Sequence, residues 1–232
     1  TFFAFKGLFI GNKKPFLLDG LLFYFPKSHL KDVGKRFQNY ESSERYMINK
    51  YIDEDDIVLE LGACIGVVSC LTNKKLNFSK NHVVVEPNPR MIEFIKNNRN
   101  LNNCQFLIEQ SVISKKKEIS FFIYDEFMSS SLIERPNRSG QVKIKTKGTS
   151  IEDLENKLDL NFNTLIMDIE GGELEIIKES NLKKINKMII EYHPHILSQE
   201  ERKRYESILL KKRFQLKDEE KNVEFWAKSP SI

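Results

Sequence analysis

The sequence predicts a single doubly wound α/β domain, in which a mostly parallel β-sheet carries helices on both faces. Short apolar runs alternate with segments of helical pattern, an alternation typical of such sheets. The runs are DIVLEL (56–61), VVVE (83–86), QFLIE (105–109), TLIMD (164–168) and MIIEY (188–192). Because these runs are largely apolar without a regular alternation, we expect five strands buried on both faces of the sheet. The chain has 232 residues, enough for one such domain with a sizeable core.

Capping residues mark the starts of three helices between and after these runs. Asn88 precedes Pro89, and proline is favoured at the first position of a helix. Ser150 and Ser198 each precede a helical pattern and can accept a hydrogen bond from a first-turn N–H group. Asp153 follows Ser150 by three residues, which is close to a capping box. These starts place helices next to the predicted strands, as the doubly wound fold requires.

Both ends of the chain are expected to add β-structure. Residues 1–37 are rich in Phe and Leu and predict a β-rich N-terminal extension, whereas residues 38–232 form the main domain. Residues 38–52 predict a helix that leads into the first core strand. The last part of the chain predicts an antiparallel hairpin with its turn at residues 217–222. Charged residues and glycines interrupt the apolar opening before the roughly 20 residues that a membrane span needs, so we expect at most a peripheral membrane contact.

Charge and cysteine content limit the classes of function. The chain has 37 Lys and Arg against 33 Asp and Glu, and the basic residues are mixed with acidic ones. Nucleic-acid-binding domains usually concentrate positive charge on one face, so we expect no nucleic-acid partner. Cys64, Cys70 and Cys104 are widely spaced without a CxxC pair, which argues against a disulfide framework and a zinc site. We therefore expect a reducing, cytoplasmic compartment.

A turn of small residues follows the first apolar run. In VLELGACIG (58–66), Glu60 lies two residues before Gly62, and Ala63 and Gly66 come ahead of a helical pattern. Small residues let the backbone approach a ligand closely at the carboxyl end of a strand. The pattern is not GxGxxG, and a carboxylate here would repel a pyrophosphate but not an ammonium or a sulfonium. The turn therefore favours S-adenosylmethionine over NAD, with a tight turn that binds no ligand as the alternative.

A second carboxylate, Glu86, ends the next apolar run. An acidic residue about 20 residues beyond a glycine turn can accept hydrogen bonds from both ribose hydroxyls of a nucleoside. Pro87 offers an apolar surface beside the adenine, and Glu109 or Ser111 can hydrogen-bond to the adenine edge. The predicted cofactor-binding residues are Glu60, Gly62, Ala63, Gly66, Glu86, Pro87, Glu109 and Ser111.

The fourth run leads into DIEGGE (168–173), at the edge of the sheet where doubly wound folds place their chemistry. Asp168 and Glu170 can act as general base, bind an ammonium group or hold a divalent cation. Glu173 is expected to cap the next helix. His193 follows the fifth run and is a third candidate base, because the unperturbed pKa of histidine is about 6.5. The predicted catalytic residues are Asp168, Glu170 and His193.

Four of these segments together resemble the FkbM-type methyltransferases, a branch of the class I S-adenosylmethionine enzymes. They are ELGACIG (60–66), VVVEPNP (83–89), DIEGGE (168–173) and IIEYHP (189–194). The resemblance runs from about Tyr40 to the end of the chain, and SSSL (129–132) and GTSIEDL (148–154) are similar in layout. The family typically has Asp at the position of Glu60 and Asn at the position of Cys64. The resemblance implies a Rossmann-like class I methyltransferase sheet.

The same resemblance implies O-methylation of a sugar, glycan, glycolipid or polyketide-type acceptor, with S-adenosylhomocysteine as the product. A divalent metal held by Asp168 and Glu191 is conceivable, but only the number of carboxylates supports it, and we expect none. The familiar NPPY or DPPY motif of nucleic-acid base methyltransferases is absent after the fourth run. Two alternatives stay open: an NAD-dependent oxidoreductase or epimerase, and a non-catalytic module of a larger glycan-modifying protein. The oligomeric state is not indicated.

Overall fold

The computed structural model describes residues 14–26, 37–124, 130–132, 134–135 and 140–229. Its strands are, in chain order, β1 (Phe16–Leu18), β2 (Leu21–Phe23), β3 (Val58–Leu61), β4 (His82–Val85), β5 (Leu107–Glu109), β6 (Val112–Ile113), β7 (Glu118–Ile123), β8 (Val142–Thr149), β9 (Thr164–Met167), β10 (Lys187–Glu191), β11 (Phe214–Glu220) and β12 (Val223–Lys228). Its α-helices are α1 (Ser42–Tyr51), α2 (Val67–Lys75), α3 (Pro89–Leu101), α4 (Ile151–Leu158), α5 (Glu173–Glu179) and α6 (Gln199–Lys211). Short 3-10 turns lie at Phe37–Asn39 and Ser79–Asn81.

The main sheet of these described residues has seven strands in the order β11-β12-β10-β9-β3-β4-β5. Neighbours among β10, β9, β3, β4 and β5 are parallel, and β12 runs antiparallel to both β10 and β11. The five predicted runs are these parallel strands, so the predicted fold class is confirmed. From β3 the chain moves outward in one direction to β4 and β5, and it later returns to the other side of β3 as β9. Ligands of doubly wound sheets bind at such a switch point, outside the carboxyl ends of the strands.

Both faces of the main sheet are covered because successive side chains of a strand point to opposite faces. Leu59 and Leu61 of β3 belong to the core that also contains residues of α4, α5 and α6. Val58 belongs to a second core, on the opposite face, with residues of α1 and α2. Glu60 follows the same alternation as Val58, so its side chain enters the layer between β3 and the helices of that second face.

The N-terminal part that is described, residues 14–26, packs on the main domain. β1 and β2 pair antiparallel, and Phe23 and Phe25 are fully buried. The Asn102 side chain, at the end of α3, accepts from Leu22 N at 2.9 Å and donates to Leu22 O at 2.7 Å. Buried apolar and hydrogen-bonding groups thus join this hairpin to the end of α3. The proposed division of the chain at residue 37 stays a prediction, and residues 1–13 and 27–36 lie outside the described part.

A small three-stranded sheet, in the order β6-β8-β7, was not predicted from the sequence. β8 pairs parallel to β6 and antiparallel to β7. The outward side chains Lys143, Lys145 and Lys147 make β8 look polar in sequence, which hid its strand pattern. Val112 and Phe121 of this sheet lie in the wall of the cavity described below.

The predicted helix starts are confirmed, and one turn is corrected. Asn88 accepts a hydrogen bond from Arg90 N at 3.0 Å, and Ser150 and Ser198 both form capping boxes. The closing hairpin turns at residues 221–222 and not over residues 217–222. β11 continues to Glu220 because it is an edge strand, where charged side chains reach solvent without cost. Among the described residues, no helix has both the length and the apolar character needed to cross a membrane.

Candidate active site

A cavity lies outside the carboxyl ends of β3, β4 and β9, at the switch point of the sheet. Met91, Ile113, Phe121 and Leu132 give it apolar walls. Six of the predicted site residues line it: Gly62, Glu86, Pro87, Ser111, Asp168 and Glu170. The cavity therefore combines carboxylates with apolar walls, and it lies where doubly wound folds bind their ligands.

The turn after β3 requires glycine at residue 62. Gly62 has a φ of 82°, and its N–H donates to Val85 O of β4 at 3.0 Å. A Cβ atom at this position would overlap the carbonyl oxygen of Asp168 and lie 2.8 Å from its carbonyl carbon. Only a residue without a side chain lets the ends of β3 and β9 come this close.

Glu86 ties the turn to the end of β4. Its Oε2 accepts from Ala63 N and Cys64 N, both at 3.1 Å, and its Oε1 accepts from Asn88 N at 2.7 Å. Burial raises the pKa of Glu86 to about 7, and this effect is larger than that of the three backbone N–H donors, which lower the pKa. Its carboxyl thus changes charge close to neutral pH, within the cavity wall.

Cys64 and Gly66 complete the turn with left-handed backbone. Cys64 has a φ of 49°, in the left-handed region that Asn adopts more readily than most residues. Gly66 has a φ of 85° and precedes α2. Tyr40 donates its hydroxyl to Cys64 Sγ at 3.6 Å, and burial raises the pKa of the Cys64 thiol. The thiol is therefore neutral, and Cys64 lines the cavity.

Ser111 presents an unsatisfied hydroxyl to the same cavity. The residue is fully buried, and its Oγ has no hydrogen-bond partner among the described residues. A buried hydroxyl without a partner loses the hydrogen bonds that it made to water, so a ligand atom that pairs with it gains affinity. Pro87 also lines this cavity, and its place beside the adenine stays a prediction.

Glu60 and Glu109 are not brought to the cavity, which corrects the direct cofactor contact expected of them. Glu60 is fully buried, accepts from Ser69 Oγ at 2.5 Å and lies 2.9 Å from His82 Nε2. The alternation of β3 turns its side chain onto the face of the sheet, away from the strand end. Glu109 points to Lys147 and Lys157, at 3.0 and 2.6 Å, on the outer surface.

His193 lies among carboxylates, behind the cavity wall. Its Nδ1 is 3.0 Å from Glu173 Oε1, and its Nε2 is 3.3 Å from Asp168 Oδ1 and 3.8 Å from Glu170 Oε1. Burial lowers the pKa of His193, but the carboxylates of Asp168 and Glu173 beside its two ring nitrogens outweigh burial and raise it to about 11. The imidazole is thus protonated at neutral pH. The expectation that His193 acts as a base with a pKa near 6.5 is therefore wrong for the protein without a bound ligand. Glu173 also accepts from Gly171 N at 3.2 Å, as a helix cap would.

Glu170 is held by the segment that follows β7. Arg135 Nη2 donates to Glu170 Oε2 at 2.8 Å, and Ser131 Oγ donates to Glu170 O at 2.8 Å. Ser130 lines the cavity and accepts from Asn88 Nδ2 at 2.9 Å. Ser130 and Ser131 therefore lie beside the site, whereas Ser129 is outside the described residues.

A second, smaller cavity lies behind Gly62 and Ala63. Four carboxylates line it: Glu41, Glu44, Asp168 and Glu191. Burial, together with the charges of Asp168 and Glu44, raises the pKa of Glu191 to about 11, and burial also raises the pKa values of Glu41 and Glu44. Among the described residues, neither cavity is lined by Lys or Arg. The raised pKa of Glu191 leaves its carboxyl protonated at neutral pH, and a cation bound among these carboxyls would lower their pKa values.

Sequence reasoning missed Glu41 and Glu44. They lie at the start of α1, where acidic residues are ordinary because they favour the helix dipole. Nothing local in ESSE (41–44) indicates a site. Only the packing of α1 against β10 brings these carboxylates to Glu191 and Asp168.

The match with known families covers most of the chain. Residues 60–218 match the sequence model of the methyltransferase FkbM domain. No curated protein matches the chain.

Solved structures share the fold at low sequence identity. The ribosomal protein L11 methylase from Lactobacillus delbrueckii subsp. bulgaricus is 12% identical, with a TM-score of 0.49 over 83% of this chain and 80% of that chain. TYW2 from M. jannaschii, solved in complex with AdoMet, is 14% identical, with a TM-score of 0.45 over 90% and 80%. A proposed SAM-dependent methyltransferase from Streptococcus mutans is 10% identical, with a TM-score of 0.53 over 93% of this chain and 56% of that chain. The last of these, the structure with a TM-score above 0.5, shows the Rossmann-like class I fold alone.

Proposed function

Because the chain belongs to the FkbM methyltransferase family and is an S-adenosylmethionine-dependent methyltransferase, we propose that it methylates a hydroxyl of a sugar, glycan or similar small acceptor. The observation that carries the proposal is the position of Asp168. It lines the cavity beside the glycine turn, and its Oδ1 is buried without a hydrogen bond of regular geometry. A carboxylate so placed is available to take a proton from an acceptor hydroxyl.

The residues of the larger cavity fit the donor. The unsatisfied Ser111 hydroxyl supports a hydrogen bond to the adenine edge, and Pro87 and Met91 supply apolar surface. Glu86 would accept from the ribose hydroxyls. Gly62 lines the cavity without a side chain, so the backbone can approach the methionine part closely. When bound, S-adenosylmethionine supplies a methyl group already activated on a sulfonium.

Catalysis by the protein then consists of positioning and proton removal. A sugar hydroxyl is a weak nucleophile at neutral pH, and a base that removes its proton speeds the reaction by about 10²–10⁴. We assign this role to Asp168. Glu170 is the second candidate, but its carboxylate already pairs with Arg135. His193, as an imidazolium 3.3 Å from Asp168 Oδ1, holds that carboxylate in place and does not act as the base.

The charge of the cavities favours a small uncharged acceptor over a nucleic acid. Phosphate backbones are bound by Lys and Arg, and the described lining of both cavities contains neither. The apolar wall opposite the carboxylates fits the carbon face of a sugar or lipid-linked sugar. RNA and protein acceptors are included in the test below, so that the acceptor class can be refuted.

We further propose that the protein works in a reducing, cytoplasmic compartment. Cys64, Cys70 and Cys104 are all free thiols, and two of them are buried. Reducing compartments keep such thiols intact, whereas oxidising ones tend to pair them. Localisation of the tagged chain by microscopy, with a secreted protein as reference, tests this; export of the native protein would contradict it.

The test of the function is methyl transfer from radiolabelled S-adenosylmethionine to a panel of free sugars, lipid-linked sugars, phenols, RNA and protein. We expect label in a sugar hydroxyl, and an Asp168→Asn variant should lose about 100-fold or more in kcat while it keeps its affinity for S-adenosylhomocysteine. Asp55→Asn, a change in an exposed turn, is the matched control. Label found only in RNA or protein would refute the acceptor class. Unchanged kcat in the Asp168 variant would refute the assignment of the base.

A further inference from the structure

Three side chains at the ends of β9 and β10 bring possible ligand atoms together. Asp168, Glu191 and His193 each offer one atom, and these atoms all lie within 4.8 Å of one another. His193 Nε2 is 3.3 Å from Asp168 Oδ1 and 3.8 Å from Glu191 Oε2. Ligands held about 2.1 Å from a divalent cation are separated by roughly 3.0 Å along an octahedral edge and roughly 3.4 Å along a tetrahedral edge. Small rotations of the side chains therefore suffice to bind an ion.

The orientation of His193 is a second observation, independent of this proximity. Only 6% of the residue is exposed, and its Nδ1 lies 3.0 Å from Oε1 of the fully buried Glu173. A histidine that binds a metal almost always donates its other ring N–H to a carboxylate or carbonyl, which fixes the ring and its tautomer. Glu173 takes that position here. Nε2 is thereby aimed at Asp168 and Glu191, and a bound ion would replace the proton that Nε2 carries in the metal-free protein.

No positively charged side chain is among the described lining of the smaller cavity, although the His193 imidazolium contacts Asp168 and Glu191 from outside that lining. Glu44 is 7% exposed and lines this cavity together with Glu191. Asp168 Oδ1 is buried and accepts no regular hydrogen bond. The cavity that Glu44, Asp168 and Glu191 line has a volume of about 10 Å³, close to the room that one water or one ion occupies. In the described part of the chain, no Lys or Arg lines it.

We propose that Asp168, Glu191 and His193 bind a divalent transition-metal ion, with Glu173 as the carboxylate that orients His193. The imidazole nitrogen favours Fe²⁺ or Zn²⁺ over Mg²⁺ and Ca²⁺, and the two carboxylates also suit Mn²⁺. The sequence led us to expect no metal, and this geometry is the reason to revise that expectation. The inference goes beyond the proposed function because it concerns binding by the protein alone, whichever acceptor is methylated. A bound ion would make Asp168 a ligand, so kcat measured with and without metal separates that role from the role of base.

The test is calorimetric titration of the full chain, after treatment with EDTA, with Mn²⁺ and Zn²⁺ in separate experiments and Mg²⁺ as a reference. We expect one Mn²⁺ or Zn²⁺ ion per chain, bound at least tenfold more tightly than Mg²⁺. Glu191→Gln and His193→Ala should each weaken binding at least tenfold. Glu173→Gln should weaken it by about 10–100-fold, the usual effect of losing the partner of a ligating histidine. Asp55→Asn is again the control and should bind as the unaltered chain does.

Affinity for S-adenosylhomocysteine, measured on the same samples, reports folding and separates this inference from the proposed function. Absence of Mn²⁺ and Zn²⁺ binding with intact affinity for S-adenosylhomocysteine overturns the metal site and leaves the methyltransferase untouched. Metal binding without methyl transfer to any hydroxyl refutes the proposed acceptor class and leaves the metal site intact. If Glu191→Gln weakens S-adenosylhomocysteine binding while metal affinity stays constant, the carboxylates serve the ammonium group of the donor, and the metal site is wrong.

Discussion

Replacement of Gly62 by alanine tests the contact on which the geometry of the site depends. The residue has a φ of 82°, and a Cβ there would overlap backbone atoms of Asp168. Left-handed backbone costs an alanine about 1–2 kcal/mol relative to glycine. To make room, the ends of β3 and β9 must separate, which breaks the hydrogen bond from Asp168 N to Leu61 O, now 2.9 Å long. The loss of that bond adds about 1 kcal/mol, so we expect Gly62→Ala to lower the free energy of unfolding by about 3 kcal/mol.

Gly20 provides the matched control, since it lies in the β1–β2 turn with a φ of 79° and no atom within 4 Å of the position that a Cβ would occupy. Gly20→Ala carries the same backbone strain without the overlap, so it should cost only that strain of about 1–2 kcal/mol. Urea unfolding followed by the fluorescence of Trp226, which is buried and is the single tryptophan of the chain, measures both variants.

Affinity for S-adenosylhomocysteine completes this test. Gly62→Ala moves Asp168 and the turn that faces the cavity, so we expect affinity to fall more than tenfold, whereas Gly20→Ala should leave it unchanged. Equal loss of stability in the two variants would refute the claim that the approach of β3 to β9 is what demands glycine. Unchanged affinity in Gly62→Ala would refute the placement of the donor beside this turn.

Three further predictions concern single side chains. Affinity for S-adenosylhomocysteine should fall up to about tenfold per pH unit below about pH 7, because the raised pKa of Glu86 leaves its carboxyl protonated there and unable to accept from both ribose hydroxyls. In calorimetry between about pH 5.5 and 8.5, Glu86→Gln should abolish this pH dependence. An affinity that does not change with pH in the unaltered chain would contradict the prediction. Ser111→Ala should weaken the affinity for S-adenosylhomocysteine about fivefold to tenfold. It should not lower the free energy of unfolding, since the hydroxyl has no partner among the described residues of the free protein. A loss of stability would show that the hydroxyl has a structural partner. Glu60→Ala should lower the free energy of unfolding by about 3 kcal/mol, because Ser69 and His82 lose their buried acceptor. Its affinity for S-adenosylhomocysteine should change less than about twofold. Unchanged stability with a large loss of that affinity would restore Glu60 as a cofactor ligand.

Most of the main sheet could be predicted because its strands are buried on both faces. Such strands appear as compact apolar runs, and the parallel arrangement follows from the helices between them. The strands β7 and β8 were missed for the opposite reason. One of their faces is exposed, and Lys143, Lys145 and Lys147 alternate with the inward residues of β8, so the segment looks like a polar loop.

Part of the candidate site could also be predicted, where a residue's role depends on its place at a strand end. Gly62, Glu86 and Asp168 each directly follow a buried strand, and parallel strands end at one edge of the sheet. Glu60 and Glu109 show where this reasoning fails. Both lie at or next to a strand end, but the Glu60 side chain points into the layer between the sheet and the helices, and the Glu109 side chain points to the outer surface. A shift of one residue along a strand moves a side chain to the opposite face of the sheet.

The sequence by itself determined the fold class, the glycine turn and the membership of the family, because these depend on patterns among residues that are close together along the chain. Only the tertiary structure decided which carboxylates act together. Glu41 and Glu44 of the α1 region lie far from Asp168 along the chain, yet all three line one small cavity. Coulomb energy depends on distance and burial and not on separation along the chain, so this cluster of charge appears only once the helices are packed on the sheet.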